Sequence, residues 1–309
     1  MTIADTLPVT VIGGYLGAGK TTLVNHLLRH ADGLKLAVLV NDFGDLSIDA
    51  DLIEAEDDRI LTITGGCLCC SFGNDLAGTL ADLKGGPAAL DHILIEASGV
   101  ALPGAIAGSI GLLQGFRLDG IVVLGDAETL ASRARDRFMG DTVLRQLDDA
   151  DLILLNKADL ASSQQLEATL GWLRHQVPKT RVVTTERGAA PLALVLGIYL
   201  DNPVGGQGTR HDASDRFVTF AFETTHPVDA ERLAGGLADP DIGLLRAKGF
   251  VRDLDGTLRT IQIVGHRHEI TAAPPNAKPG LVCIGLKTDV KKANLERHLE
   301  ALLEHFAIN

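Results

Sequence analysis

The chain has 309 residues, of which 46% are hydrophobic and 22% are charged, and its formal net charge at pH 7 is −12. This composition is typical of globular proteins and excludes the fibrous and disordered classes, while the length predicts two domains that each bury a core. The acidic balance argues against a nucleic-acid partner, because phosphate neutralisation requires a basic surface.

The amino terminus and the cysteines indicate the compartment. Residues 1–8 lack the basic segment and apolar stretch of a signal peptide, and no apolar run approaches the length of a membrane span. Three of the four cysteines lie within four residues, at Cys67, Cys69 and Cys70, and Cys283 stands alone. This spacing does not fit a disulfide framework. We therefore expect a cytoplasmic protein that does not associate with membranes.

Short apolar runs alternate with helical stretches through the first two thirds of the chain. Continuously apolar strands in this alternation predict an α/β fold, in which a mostly parallel sheet is covered by helices on both faces. Such sheets bind ligands at the carboxyl ends of their strands. The predicted strands are 9–12, 36–40, 60–63, 93–95, 121–124, 152–155 and 181–185.

The first predicted strand leads into GYLGAGKT at residues 14–21, which fits G-x-x-x-x-G-K-[ST] and precedes a helix predicted over 22–30. Its glycines let successive backbone N–H groups face phosphates, and the helix adds the positive end of its dipole. We expect Lys20 to contact the β- and γ-phosphates and Thr21 to ligate Mg²⁺. A chance glycine loop is the alternative, and the strand–loop–helix context argues against it. The predicted nucleotide-binding residues here are Gly14, Gly17, Ala18, Gly19, Lys20, Thr21 and Thr22.

Carboxylates follow the second and fourth predicted strands. After the second strand, in NDFGDLSID at 41–49, Asp49 is a candidate Mg²⁺ ligand, and Asp42 is a candidate for Mg²⁺, a second metal or only water. The fourth strand ends at Glu96, in the position of a Walker B acid that holds Mg²⁺, and the Gly99 N–H is predicted to contact the γ-phosphate. An ordinary strand-end glutamate is the alternative for Glu96, and the order of the motifs favours the Mg²⁺ role.

A C-x-C-C cluster, Cys67, Cys69 and Cys70, follows the third predicted strand. This segment supplies at most three thiolates, so at least one position in the coordination sphere of a bound ion stays open. An open position suits a transferable ion better than a structural zinc, which has four protein ligands. Buried cysteines that act as small hydrophobes, and a reactive vicinal thiol pair, are the alternatives. We predict a transition-metal site, and thiolate ligands do not distinguish zinc from cobalt.

The sixth predicted strand is followed by Asn156-Lys157-Ala158-Asp159, an N-K-x-D sequence. A carboxylate at Asp159 can accept hydrogen bonds from guanine N1–H and the exocyclic amine, a donor pair that adenine lacks. Lys157 is predicted to lie along the base and Asn156 to brace neighbouring loops. Alone, this sequence could be an ordinary polar turn. After a Walker A loop in the right chain order, it predicts a preference for GTP.

A segment rich in Gly, Pro and Asp marks the domain boundary, and we place a linker at 206–213 between domains at 1–205 and 214–309. The second domain is predicted to be a smaller α+β sandwich, with the ferredoxin-like fold as one option. Its predicted strands are 217–222, 243–251, 257–265 and 281–286, and its helices are 228–237 and 290–306. The sequence His266-Arg267-His268-Glu269 is interpreted as a solvated strand end rather than a metal site.

Taken together, the motifs at 14–22, 41–49, 66–70, 95–103, 156–160 and 245–250 resemble those of the CobW-type metallochaperone P-loop GTPases, relatives of HypB and UreG. The sequence departs from that pattern at Asp42, where the family has glutamate, at Tyr15, where it has phenylalanine, and at Leu102, where it often has aspartate. The resemblance implies a protein that binds zinc or cobalt and passes it to a client metalloenzyme or cofactor-biosynthesis protein.

The predicted mechanism couples GTP and Mg²⁺ to the metal site, with Lys20 and Glu96 as the catalytic residues. Intrinsic hydrolysis should be slow, because no water-positioning glutamine and no cis arginine finger can be assigned from the sequence. A client or a second copy of the chain in a homodimer is the candidate source of the missing group. Two rival functions are a regulatory GTP-binding protein with a structural zinc site, and a different P-loop phosphotransferase.

Overall fold

The computed structural model describes residues 6–31, 33–41, 60–65, 74–86, 89–197, 216–222, 226–274 and 277–290. Contacts within the chain define two compact units, Thr6–Leu196 and the residues from Gly197 on. The predicted linker at 206–213 lies outside the described residues, so the predicted boundaries stay predictions.

In the described part of the first unit, seven strands form one sheet in the order β3-β2-β4-β1-β5-β6-β7, and all neighbouring strands are parallel. This confirms the predicted parallel sheet. All residues of β4 and β6 are buried, which explains why these strands are apolar without alternation. The strands are β1 (Leu7–Gly14), β2 (Leu36–Asn41), β3 (Ile60–Gly65), β4 (His92–Glu96), β5 (Phe116–Asp126), β6 (Leu152–Asn156) and β7 (Arg181–Thr184).

Helices connect these strands and cover the sheet, as the alternation of elements predicts. The described helices of this unit are α1 (Lys20–Arg29), α2 (Asn74–Gly85), α3 (Pro103–Gly111), α4 (Leu130–Arg133), α5 (Gly140–Asp148), α6 (Ser163–Gln176) and α7 (Leu192–Leu196). One apolar core joins β1, β2 and β4 to α2 and α3, and another joins β5 and β6 to α4, α5 and α6.

The second unit contains, among its described residues, a five-stranded antiparallel sheet in the order β11-β10-β9-β12-β8. A single described α-helix, Ala230–Leu237, packs its buried face on the sheet. Asp229 caps this helix by accepting a hydrogen bond from the Arg232 N–H. The elements are β8 (Phe217–Phe222), α8 (Ala230–Leu237), a short 3₁₀ helix (Pro240–Ile242), β9 (Leu244–Arg252), β10 (Leu258–Val264), β11 (Arg267–Ala272) and β12 (Gly280–Leu286).

The second unit confirms the predicted α+β class, and its details differ from the prediction. Strand β11 was not predicted, because its sequence is largely polar; it is an edge strand that pairs with β10 alone and is only partly buried. His268 lies within this strand. Since β9 to β12 follow one another without a helix between them in the described residues, the β-α-β-β-α-β order of a ferredoxin-like fold is not found here. The predicted closing helix at 290–306 lies outside the described residues apart from Val290.

Among the described residues, the helices are too short or too polar for any of them to cross a membrane.

Candidate functional site

Four neighbouring strands bring the sequence motifs to one edge of the sheet. Strand β1 lies between β4 and β5, and β6 follows β5. The glycine loop leaves the carboxyl end of β1, Glu96 ends β4, Asp126 ends β5 and Asn156 ends β6. In register, Ile12 of β1 lies opposite Glu96, and Asp126 lies opposite Asn156. The sheet therefore assembles one site from segments that lie far apart in the chain.

Two positions of the loop require glycine, because atoms of other strands approach the backbone closely there. Gly14 has φ of 133°, and a Cβ there would lie 2.4 Å from the carbonyl oxygen of Leu124. Gly19 has φ of 101°, and a Cβ there would lie 2.4 Å from Nδ2 of Asn156. Both positions combine a left-handed backbone with no space for a side chain, so only glycine fits.

Lys20 begins α1 directly after the loop and is buried. Its Nζ donates a hydrogen bond to the carbonyl oxygen of Gly14, at 3.0 Å. The ammonium is therefore held at the loop itself, where a Walker A lysine meets the phosphates.

The hydroxyl of Thr21 donates a hydrogen bond to Oε1 of Glu96, at 2.9 Å, and the Glu96 side chain is buried. Thr21 lies in the first turn of α1, whereas Glu96 ends β4. A hydroxyl and a carboxylate in contact beside a phosphate loop form the oxygen donor pair that Mg²⁺ uses in P-loop proteins. The structure thus brings together the two predicted Mg²⁺ ligands that lie in described residues.

Gly99 lies against the glycine loop. A Cβ on Gly99 would lie 2.5 Å from Cδ2 of Leu16 and 2.8 Å from its backbone nitrogen. The buried amide of Gln146 donates hydrogen bonds to the carbonyl oxygens of Gly99, at 3.1 Å, and Ala101, at 2.8 Å. The segment that follows Glu96 is therefore fixed by a side chain of α5 and lies against the glycine loop.

Asn156 joins the base-recognition sequence to the phosphate loop. Its Nδ2 donates a hydrogen bond to the carbonyl oxygen of Ala18, at 2.9 Å. Its Oδ1 accepts hydrogen bonds from the hydroxyl of Thr185, at 3.2 Å, and from the Gly188 N–H, at 2.9 Å. Asp159, three residues further on, is exposed.

Lys157 forms an ion pair with Asp126, a residue that sequence reasoning missed. Lys157 Nζ lies 2.9 Å from Oδ2 of Asp126. Burial by itself raises the pKa of Asp126, but hydrogen bonds from Lys157 and from the Glu128 and Thr129 N–H groups outweigh it and lower the pKa. The signal available in the sequence was an aspartate two residues after the fifth predicted strand, 121–124.

The turn after β7 was also missed. It includes Thr185 and Gly188, which both bind Asn156, and the Ala158 N–H donates to the carbonyl oxygen of Thr185, at 3.1 Å. A Cβ on Gly188 would lie 2.8 Å from the backbone nitrogen of Leu23 in α1. This turn therefore lies between the N-K-x-D sequence and α1. Its position directly after a predicted strand was the feature of the sequence that could have marked it as part of the site.

Arg133, at the end of α4, contacts the glycine loop from outside. Its Nη1 donates a hydrogen bond to the carbonyl oxygen of Leu16, at 2.6 Å. Its guanidinium carbon lies 5.1 Å from the centroid of the Tyr15 ring, within cation–π range. The Tyr15 hydroxyl in turn donates to the sulfur of Met139.

The predicted transition-metal ligands Cys67, Cys69 and Cys70, and the carboxylates Asp42 and Asp49, lie outside the described residues. Within the described ranges, no group of three or more His, Cys, Asp or Glu side chains could hold a metal ion. Cys283 is buried in β12, and burial raises the pKa of its thiol to about 12. Cys283 is therefore protonated at neutral pH.

Two family descriptions match this chain. The one described as "CobW/HypB/UreG, nucleotide-binding domain" matches residues 8–184. The one described as "Cobalamin synthesis protein cobW C-terminal domain" matches residues 217–303.

Several characterised proteins are similar to this chain. The zinc chaperone CobW of Sinorhizobium sp is 31% identical, over 84% of this chain and 86% of that protein. The zinc chaperone YjiA of Escherichia coli (strain K12) is 34% identical, over 79% of this chain and 81% of that protein. The zinc-regulated GTPase metalloprotein activator 1 of Dictyostelium discoideum is 28% identical, over 80% of this chain and 63% of that protein. A crystal structure of Zn(II)-bound YjiA GTPase from E. coli is 25% identical, covers 96% of this chain and 99% of that chain, and has a TM-score of 0.48.

Proposed function

The chain belongs to the CobW/HypB/UreG family, and on that premise we propose that it binds GTP, hydrolyses it slowly, and uses this cycle to deliver zinc to a client protein. We place this activity in the cytoplasm, where a C-x-C-C segment stays reduced. The client is a metalloenzyme or a cofactor-biosynthesis protein. Zinc is thus the cargo, GTP is the nucleotide that is bound and hydrolysed, and Mg²⁺ is its cofactor.

One observation carries the nucleotide part of the proposal: the side chains of Asn156 and Glu96 bind the two ends of the same P-loop segment. Asn156 binds Ala18 within the loop, and Glu96 binds Thr21 just after it. Hydrogen bonds therefore fix the phosphate loop relative to the base-recognition sequence on one side and to the Mg²⁺ ligand Glu96 on the other. This is the arrangement that a nucleoside triphosphate with Mg²⁺ requires.

Each residue has a role in that nucleotide site. The loop N–H groups and Lys20 bind the phosphates, while Thr21 and Glu96 hold Mg²⁺, which neutralises charge on the transferring phosphoryl group. The exposed Asp159 carboxylate supports a preference for guanine, because it is open to the N1–H and amine of the base. Asp49 and Asp42 remain candidates for the Mg²⁺ shell.

The zinc part rests on the sequence and on the related proteins. The segment with Cys67, Cys69 and Cys70 follows the end of β3, and β3 is parallel to β2 and, through it, to β4. Strand β3, which precedes the cysteine segment in the sequence, therefore ends at the same edge of the sheet as Glu96. Two related proteins named zinc chaperones, similar over most of this chain, support zinc as the cargo.

The decisive experiment measures the affinity of the purified protein for Zn²⁺ and Co²⁺ with GTP–Mg²⁺, with GDP–Mg²⁺ and without nucleotide. The test variant is the triple substitution Cys67→Ala, Cys69→Ala and Cys70→Ala, and Cys283→Ala is the matched control at a buried thiol. We expect tight binding that requires the three cysteines and changes at least about tenfold between nucleotide states, a coupling of about 1.4 kcal/mol.

The rival functions predict other results. The same metal affinity in every nucleotide state, together with unfolding when the metal is removed, would indicate a structural zinc site in a regulatory GTP-binding protein. Equal affinity for ATP and GTP would indicate a different P-loop phosphotransferase. Either result would overturn GTP-driven zinc delivery.

A further inference from the structure

Asp126 holds three groups at the end of β5. Its Oδ1 accepts hydrogen bonds from the N–H groups of Glu128, at 2.9 Å, and Thr129, at 3.3 Å. Its Oδ2 accepts a hydrogen bond from Nζ of Lys157, at 2.9 Å. The aspartate side chain is 10% exposed and the lysine side chain 32%. One carboxylate oxygen thus fixes the local turn, and the other is directed to the lysine of the N-K-x-D sequence.

Lys157 lies on the same turn as Asp159, the carboxylate predicted to recognise the base. Its backbone has φ of 59°, a left-handed conformation that is uncommon for lysine. Asp159 is two residues further along the same turn and is exposed. Opposite charges two residues apart on one turn attract one another. A lysine ammonium with no other anchor would therefore be drawn toward Asp159.

We propose that Asp126 is a positioning residue for the guanine pocket, which holds the Lys157 ammonium away from Asp159 and keeps that carboxylate available to the base. This inference rests on the proposed GTP binding and identifies what makes its base site selective. The same anchor extends the lysine stem, which can then lie along the face of the base. The low pKa of Asp126 keeps the anchor ionised throughout the neutral range.

The substitution Asp126→Asn isolates this role. Asparagine keeps an oxygen for the Glu128 and Thr129 N–H groups and replaces the other oxygen with an NH₂ group, which cannot accept a hydrogen bond from an ammonium. The substitution Lys157→Met removes the charge and keeps the unbranched stem. If Asp126 acts only by restraining a charge, then removing that charge makes Asp126 dispensable.

The experiment measures the affinity for GDP and for inorganic tripolyphosphate, by calorimetry, in the wild type, D126N, K157M and the double variant. Asp148→Asn, at an exposed carboxylate in α5, is the matched control. We expect D126N to weaken GDP binding at least about tenfold and to leave tripolyphosphate binding unchanged, since the phosphates contact the glycine loop. We expect the double variant to regain the GDP affinity of K157M.

Three outcomes would overturn the inference. They are unchanged GDP affinity in D126N, an equal loss of tripolyphosphate affinity, and a double variant that binds GDP more weakly than K157M. The last result would mean that Asp126 supports the fold of the pocket and not the position of a charge. A wild-type protein that binds no GDP would instead refute the proposed function, so the two failures are distinguishable.

Discussion

The carboxamide of Asn156 donates a hydrogen bond to the carbonyl oxygen of Ala18, 2.9 Å away and 138 residues earlier in the chain. Its oxygen accepts from Thr185 and Gly188 on the other side. One side chain therefore links the phosphate loop, the base-recognition sequence and the turn after β7. Because the three segments meet on one buried amide, the state of the base site and the shape of the phosphate loop are physically connected.

Replacement of Asn156 by alanine is expected to weaken binding of both the base and the phosphates. The substitution removes three hydrogen bonds at a buried position, and each buried group left unsatisfied costs about 1–3 kcal/mol. Calorimetry should show lower affinity for both GDP and tripolyphosphate, and thermal unfolding should occur at a lower temperature. Thr185→Val, which removes one of the three bonds, is the graded control. Unchanged tripolyphosphate affinity in Asn156→Ala would contradict the connection.

Replacement of Gly99 by alanine is expected to slow GTP hydrolysis more than it weakens GDP binding. The new Cβ would lie 2.8 Å from the backbone nitrogen of Leu16, so the segment after β4 or the glycine loop must shift. Single-turnover hydrolysis and GDP affinity separate the two effects. Gly108→Ala is the control, because a Cβ at that position in α3 meets nothing within 4 Å. It should stabilise the fold by up to about 1 kcal/mol. Equal hydrolysis rates in Gly99→Ala and the wild type would refute the close approach.

Replacement of Thr21 by alanine is expected to remove the Mg²⁺ dependence of GTP binding. The Thr21 hydroxyl contacts Glu96 at the predicted Mg²⁺ position, whereas the hydroxyl of Thr22 belongs to an exposed residue. A titration of GTP affinity against Mg²⁺ should therefore be flat in Thr21→Ala and normal in Thr22→Ala. A response to Mg²⁺ that survives in Thr21→Ala would exclude the threonine as a ligand.

Replacement of Arg133 by alanine is expected to loosen the glycine loop from its outer side. The substitution removes the hydrogen bond to Leu16 and the contact with the Tyr15 ring, which is worth about 1 kcal/mol at a partly exposed site. Tripolyphosphate affinity should fall several-fold. Arg137→Ala, which removes a similar contact with Phe138, should leave this affinity unchanged. If both variants behave alike, the effect belongs to net charge and not to the Leu16 contact.

Stability is expected to fall between neutral and mildly acidic pH because of His26 in α1. Burial, and next the neighbouring His30, lowers the pKa of His26 below its ordinary value of 6.5. The unfolded chain then binds more protons than the folded chain at pH values just below 6.5, so the free energy of unfolding decreases as the pH falls through this range. Denaturant unfolding at pH 5.5 and 7.5 should show a smaller difference in His26→Gln. An identical difference in the variant would assign the effect to other groups.

The sequence predicted the elements and motifs that depend on contiguous residues. Apolar runs located all seven described strands of the first unit, although β5 begins at Phe116, earlier than the predicted start at residue 121. In the second unit the same signal missed β11, because an edge strand that pairs on one side and is partly buried does not need an apolar sequence.

The sequence by itself determined the glycine loop, the strand-end acid Glu96 and the N-K-x-D turn, because phosphate and base recognition use backbone groups and side chains at fixed local spacing. Only the tertiary structure decided which of these residues touch. The contacts of Thr21 with Glu96, Asp126 with Lys157, and Asn156 with Ala18 join residues 75, 31 and 138 positions apart. They exist because the sheet places β4, β1, β5 and β6 side by side, and strand order is set by packing of the whole sheet rather than by any local segment.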